Sequence, residues 1–348
     1  MNGTPVSVFC AVVTGFVPGE LVTIAPAGTL PGYYGTTDIY ADDTGCIYLW
    51  LPNGTYTFTA NGRPCTVTMQ NGVGPTGVTV NGQDGSVGTG TGWAYDASTG
   101  ILSLTGTGPL TLAGANVSGS VRVVVPQGVS SAITLSNLTL RAPGDYQCAF
   151  MLETNAVVSL YLAGTNTLAS GYLRAGLEVT GGRTLAINHA PGDASGTLTA
   201  MAGYAGAGIG GCGMGDAGMA TINGGFVTAL AGEDFGAGIG GGANGGGGTV
   251  IINGGTVTAV STRLGAGIGT GGYAADQGRD SGTVTINGGT VTAIGGELGH
   301  GLLAGVACCG VAADVPGKLV ATAGFYQRLV NLLRTSVGGE GGEGTREC

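Results

Sequence analysis

Cleaving a glycan takes two carboxylates about 5–9 Å apart, or an acidic calcium cluster beside a cationic side chain. The acids on offer across the repeated part of the chain are Glu178, Asp193, Asp216, Glu233, Asp234, Asp276, Asp280 and Glu297. Most fall in turns beside Gly, and no Asp-Asp pair recurs in one column. The two His, His189 and His300, have no carboxylate partner in register. Eight Cys, at 10, 46, 65, 148, 212, 308, 309 and 348, form no CxxC pair and have no His at metal spacing. A zinc site is therefore not expected. Cys46 and Cys65 fall on neighbouring expected strands and could bridge, while buried free thiols acting as small hydrophobes are the simpler account. No catalytic residue, cofactor or metal ligand is nominated. The best candidates for contact are aromatic: Tyr146, Tyr172 and Tyr204 occupy one column of a repeat that continues as Asp234, Arg263 and Glu297. Three Tyr one strand apart would make an exposed strip on which sugar rings stack. Ordinary ring stacking that stabilises the chain is the competing account. The three charges that follow alternate in sign and suggest ladder ion pairs.

The elements that must carry this column come from an internal repeat. Gly-Ala-Gly-Ile-Gly begins at 206, 236 and 265, and Ile-Asn-Gly-Gly at 222, 252 and 286. Degenerate copies align Ala149, Ala175, Ala207, Ala237, Ala266 and His300, giving five intervals over 151 residues, about 30 each. Within a repeat, Val284 and Ile286 alternate with Thr283 and Thr285, and Val291 and Ala293 with Thr290 and Thr292. Such alternation is that of short strands. Three strands per 30 residues leave no room for a helix and fall short of a four-stranded propeller blade. The pattern predicts an all-β solenoid, a right-handed parallel β-helix with six aligned coils and two degenerate ones from residue 93. At about 4.8 Å per coil its body would be roughly 40 Å long.

The register also predicts which residues stack. Leu177, Ile209, Ile239, Ile268 and Leu302 form one inward column, and Leu198, Val227, Val257 and Val291 another. Asn188, Asn223, Asn253 and Asn287 form a ladder that satisfies turn backbone. On another face, Thr197-x-Thr199, Phe226-x-Thr228, Thr256-x-Thr258 and Thr290-x-Thr292 resemble the flat Thr arrays of ice-binding solenoids. Phe226 interrupts the array, and Thr is favoured on any exposed strand.

Composition fits this architecture. Of 348 residues 75 are Gly and 12 Pro, yet no Gly-X-Y register persists, so collagen is excluded. With 43% apolar residues the chain has material for a core rather than for disorder. Gly costs a helix interior about 1 kcal/mol per residue, so long helices are not expected. Eleven Lys+Arg against 20 Asp+Glu, a net charge of −9, argue against nucleic acid and anionic membranes as partners. No apolar run is long enough for a transmembrane helix, so no membrane insertion is expected.

Residues 1–82 read as a separate β-sandwich with strands near 6–13, 21–24, 36–40, 46–51, 55–60 and 65–69, divided by Pro-Gly and Asn-Gly turns. Residues 83–310 are the β-helix. Residues 311–336 are a capping segment whose apolar residues, Leu319, Phe325, Leu329, Leu332 and Leu333, suggest a helix over 318–335. Residues 337–348 are a Gly-Glu tail expected to be disordered. The sandwich is expected to cover the first end of the solenoid. The apolar stretch 6–17 is read as strand and turn, because no cation precedes it and Pro18-Gly19 follows.

Two resemblances add to this. The run from Asp42 to Gly62 (Asp-Asp-Thr-Gly, then Leu-Pro-Asn-Gly-Thr-Tyr) resembles carboxypeptidase-regulatory-like, prealbumin-type modules, which implies an Ig-like spacer. The Gly-Ala-Gly-Ile-Gly and Thr-Val-Thr-Ile-Asn-Gly-Gly-Thr-Val-Thr-Ala repeats resemble right-handed β-helix regions of bacterial secreted and surface proteins, adhesin-like or carbohydrate-binding. That implies a non-enzymatic extracellular or cell-surface protein contacting a glycan or surface protein. A virion fibre or filament subunit, forming homo-oligomers at a virion surface, is the first alternative. A β-helix polysaccharide lyase or glycoside hydrolase is the second.

Overall fold

The computed structural model describes residues 9–25, 39–51, 54–69, 77–85, 88–116, 121–142, 144–296, 306–307 and 318–322. In the N-terminal unit each of the six expected strands forms, and the strands divide between two antiparallel sheets. Phe9–Thr14 pairs with Cys46–Leu51. Ile39–Tyr40, Leu21–Ala25, Gly54–Ala60 and Arg63–Met69 make the other sheet, in that order. Ile47 from the first sheet and Val22, Tyr56 and Phe58 from the second bury into one apolar cluster, with Val13, Phe16 and Ile24 packed against it. The division separates Cys46 from Cys65. They lie in different sheets rather than on neighbouring strands, and both are free thiols.

From Val78 onward the described residues form a parallel β-helix whose coils present three faces. On the first face, Leu102, Val123, Phe150, Leu177, Ile209, Ile239 and Ile268 stack in register. On the second, Leu110, Ile133, Leu160, Ile187, Ile222, Ile252 and Ile286 do the same. On the third, Leu198, Val227, Val257 and Val291 run beside Leu168, Ala200, Ala229, Ala259 and Ala293. All three inward columns join a single apolar core. Seven coils are complete among the described residues. Val306–Ala307 and Lys318–Thr322 add second- and third-face strands of an eighth. His300, Leu302 and Glu297 lie outside the described residues.

The corner between the second and third faces explains the Asn-Gly-Gly motif. Its second Gly takes a left-handed conformation in each repeat, φ 87° at Gly225, 84° at Gly255 and 83° at Gly289, which a side chain would strain. The Asn amides ladder along the same corner. Asn287 donates to Asn253 Oδ1 (2.7 Å), Asn253 to Asn223 (2.7 Å), Asn223 to Asn188 (2.9 Å), and Asn188 to the Leu160 carbonyl (3.2 Å). Two coils earlier the corner is smoother. Ser130–Arg141 passes through it as one strand, kinked where Asn137 takes φ 52°.

Both ends differ from expectation. The solenoid already begins at Val78–Val80, which pairs with the first coil, so the boundary placed at residue 82 cuts through it. Val78–Val80 and Gln83–Asp84 form one antiparallel hairpin on the first coil, and Thr89–Gly90 and Trp93–Asp96 form another. Val78, Val80 and Trp93 are buried in the core, so the first end is closed by these hairpins. At the other end, Lys318–Thr322 is a strand in register with Thr290–Ile294, not the start of a helix. Alternation overrides the helical spacing here, because Leu319 and Ala321 align with Val291 and Ala293. The remainder of the expected helix and the Gly-Glu tail lie outside the described residues.

Candidate functional site

Tyr146, Tyr172 and Tyr204 sit on the turns that lead from the third face back to the first. Backbone bonds tie successive turns: Tyr146 N–H donates to the Tyr172 carbonyl (3.2 Å) and Leu173 N–H to that of Tyr204 (2.9 Å). The rings therefore repeat at the strand spacing. Tyr146 and Tyr172 meet edge to face, centroids 5.2 Å apart. Tyr172 and Tyr204 stack at 5.1 Å with ring planes 5° apart.

Sequence spacing missed two further members. Phe235 meets Tyr204 edge to face at 6.0 Å, and Tyr273 lies 5.5 Å from Phe235. Five rings thus cross five coils. Phe235 stands one residue past the expected column. Tyr273 comes from the turn between first and second faces, at φ 62°. The ladder leans sideways as it climbs, so no fixed spacing finds it. Tyr146 is 62% exposed and Tyr273 54%, while Tyr172 and Tyr204 partly shield each other by stacking. Each ring pair contributes about 0.5–1.5 kcal/mol.

Beside the ladder the first two charges of the column, Asp234 and Arg263, pair as expected. Arg263 Nη1 lies 3.0 Å from Asp234 Oδ1. The Tyr204 hydroxyl also bonds Asp234, and that bond raises the phenol's pKa. Arg263 first, then Tyr204, hold the Asp234 carboxyl below its ordinary value. An open groove of about 440 Å³ runs along these turns. Tyr172, Tyr204, Asp145, Glu233, Ser170 and Thr262 line it, over a floor that includes Gly171, Gly203 and Gly232. The floor stays free of side chains because a Cβ on Gly203 would collide with the Gly171 carbonyl, and one on Gly232 with that of Gly203.

The other acids serve turns. Asp193 accepts from Ser195 N–H (2.9 Å), Ser195 Oγ (2.6 Å) and Gly164 N–H (2.8 Å). These bonds, the Ser195 hydroxyl first, lower its pKa. Asp216 accepts from Gly246 N–H (2.7 Å) and pairs with Arg279 at 3.2 Å. His189 Nδ1 meets the Ala190 carbonyl, at 3.3 Å. Glu178 is different. It is 3% exposed, paired with Arg174 at 2.9 Å, and its Oε2 has no partner. Burial raises its pKa despite Arg174 and Arg183. Burial also pushes the nearby Cys148 thiol up to about 12. Among the described residues, no group of three or more His, Cys, Asp or Glu is placed to hold a metal ion. No helix there is long and apolar enough to cross a membrane.

On the third face the Thr array is longer than the repeat showed. Thr167, Thr199, Thr228, Thr258 and Thr292 fall in one column, beside Thr165, Thr197, Phe226, Thr256 and Thr290. Phe226, 47% exposed, breaks the second column.

No curated protein and no solved structure matches the chain. A family model described as a β-helix repeat matches residues 221–243, 250–272 and 284–306. Each match begins within a second-face strand and crosses the Asn-Gly-Gly corner and the third face. The repeat model and the stacked register describe the same unit, a coil of a parallel β-helix.

Proposed function

We propose that the chain is a non-enzymatic extracellular or cell-surface protein, adhesin-like, whose β-helix presents the aromatic turn face to a glycan. The observation that carries this reading is the five-ring ladder beside the groove, Tyr146 to Tyr273 in four steps of 5.1–6.0 Å. A linear glycan laid along the groove meets the Tyr172 and Tyr204 rings, with the rest of the ladder beside it. It meets the hydroxyls of Thr262 and Ser170 and the carboxylates of Asp145 and Glu233 for its hydroxyls. The repeat of the site follows the strand spacing of about 4.8 Å, close to the advance of one pyranose unit. Tyr146 and Tyr273 offer the most exposed ring surface. The stacked Tyr172–Tyr204 pair forms the groove wall and brings little flexibility to be lost on binding.

The test is a glycan array probed with the purified protein and with a Tyr172→Ala/Tyr204→Ala variant. Binding by the parent and at least about tenfold weaker binding by the variant, with unchanged far-ultraviolet circular dichroism, is expected. Equal binding by the two proteins refutes the reading.

A further inference from the structure

The groove carries an electrostatic signature beyond its aromatic wall. Its charged lining residues are Asp145 at one end and Glu233 near the other, both exposed, and no Lys, Arg or His lines it. Neither carboxylate has a cationic partner among the described residues. The Arg side chains near the ladder are committed elsewhere: Arg263 to Asp234 and Arg174 to Glu178. The third acid of the region, Asp234, is neutralised by its ion pair, so the field in the groove is that of Asp145 and Glu233. It adds to that of a chain with a net charge of −9.

Resting on the glycan reading above, we propose that this groove selects glycans bearing amino groups, as in glucosamine polymers, over neutral and acidic ones. An ammonium on a sugar ring held against Tyr172 or Tyr204 lies between the two carboxylates that flank the groove. A uronic acid or sulfated sugar in the same place meets like charge on both sides with no counter-ion in the wall.

The experiment compares three soluble oligomers of equal length: β-1,4-linked glucosamine, its N-acetylated counterpart, and oligogalacturonate. Binding is measured by calorimetry at about pH 5.5, above the ordinary carboxylate range near 4. The glucosamine oligomer should bind about 3- to 10-fold tighter than the acetylated one in dilute buffer, the size expected of two exposed charge pairs. That ratio should collapse near 1 M salt, where screening acts within about 3 Å. Oligogalacturonate should bind weakest. An Asp145→Asn/Glu233→Gln variant should bring the glucosamine and acetylated oligomers to one affinity. Equal binding of these two by the parent, or a preference that survives in the variant, overturns the proposal while leaving the glycan reading intact. Failure of all three oligomers, or binding that ignores Tyr172→Ala/Tyr204→Ala, sinks the glycan reading itself. A Lys-rich peptide that binds where no glycan does overturns the proposal in favour of a protein ligand.

Discussion

Gly238 offers a sharp test of why the chain is so rich in Gly. It sits in the second of the three Gly-Ala-Gly-Ile-Gly segments, beside the buried column residue Ile239. A Cβ there would meet Gly267 O and Val260 N at 2.5 Å and the Ala259 carbonyl carbon at 2.7 Å, all backbone. None of these can rotate away. Relief requires neighbouring coils to separate, which strains four bonds that clamp this turn: Gly238 N–H to Ala266 O (3.0 Å), Ile239 N–H to Gly267 O (2.9 Å), Gly208 N–H to Ala237 O (3.1 Å) and Ile209 N–H to Gly238 O (3.0 Å). Overpacking alone costs about 1–3 kcal/mol. Losing even two such bonds adds about 1–3 kcal/mol at roughly 0.5–1.5 each. Gly238→Ala should therefore destabilise by about 3 kcal/mol. The control is Gly181→Ala. Nothing lies within 4 Å of its Cβ position, and its φ is outside the left-handed region. There the substitution should stabilise by about 0.4–1 kcal/mol through the unfolded chain. Denaturant midpoints at matched slopes measure both. If Gly238→Ala falls within about 0.5 kcal/mol of the parent, or if Gly181→Ala is the more harmful, the packing argument is wrong.

Three further outcomes follow from buried polar groups. Asn166, fully buried, occupies the column position that holds Leu198 one coil on, and it accepts from Leu138 N–H (2.9 Å) while donating to the Ala163 and Thr197 carbonyls. Asn166→Leu should cost about 2–4 kcal/mol in chemical denaturation, because the Leu138 N–H is left without an acceptor. Burial raises the Glu178 carboxyl above 4.5, so the folded chain binds its proton more tightly than the unfolded one. Its contribution is complete below pH 4.5 and is lost as pH rises through the folded value. Stability of Glu178→Gln, followed by unfolding across that range, should lack this decline. The Cys148 thiol, at about 12, should resist alkylation at mildly alkaline pH until the chain unfolds, while exposed Cys65 reacts at once. Mass spectrometry of the labelled native protein distinguishes them.

The solenoid was legible because its corners demand particular residues. The second Gly of Asn-Gly-Gly needs a left-handed backbone, and the Asn beside it bonds its own kind one coil away, so both leave a fixed period in the sequence. Alternation of Val, Ile and Ala with Thr marks the inward columns equally well. Features that depend on contact across coils without a fixed period were not legible. Phe235 and Tyr273 join the aromatic ladder from shifted positions, and Glu178 looks like a turn acid although it lies buried in a first-face strand against Arg174. Asn166 in a hydrophobic column is invisible to pattern reading because its partners are backbone atoms. The strand at Lys318–Thr322 is hidden for a related reason: Leu spacing in the residues beyond it has a helical period, while the pairing partner Thr290–Ile294 decides its state.

The Asn ladder gives the solenoid a direction. Every amide from Asn287 to Asn188 donates toward the preceding coil, and the series ends on the Leu160 carbonyl. Such a series of aligned dipoles polarises from one bond to the next, so each coil presents an acceptor to the coil that follows it and a donor to the coil before. Whole repeats inserted with their Asn in register extend this line without loss. A partial repeat leaves one amide facing the wrong group, so the array grows or shrinks in units of one coil.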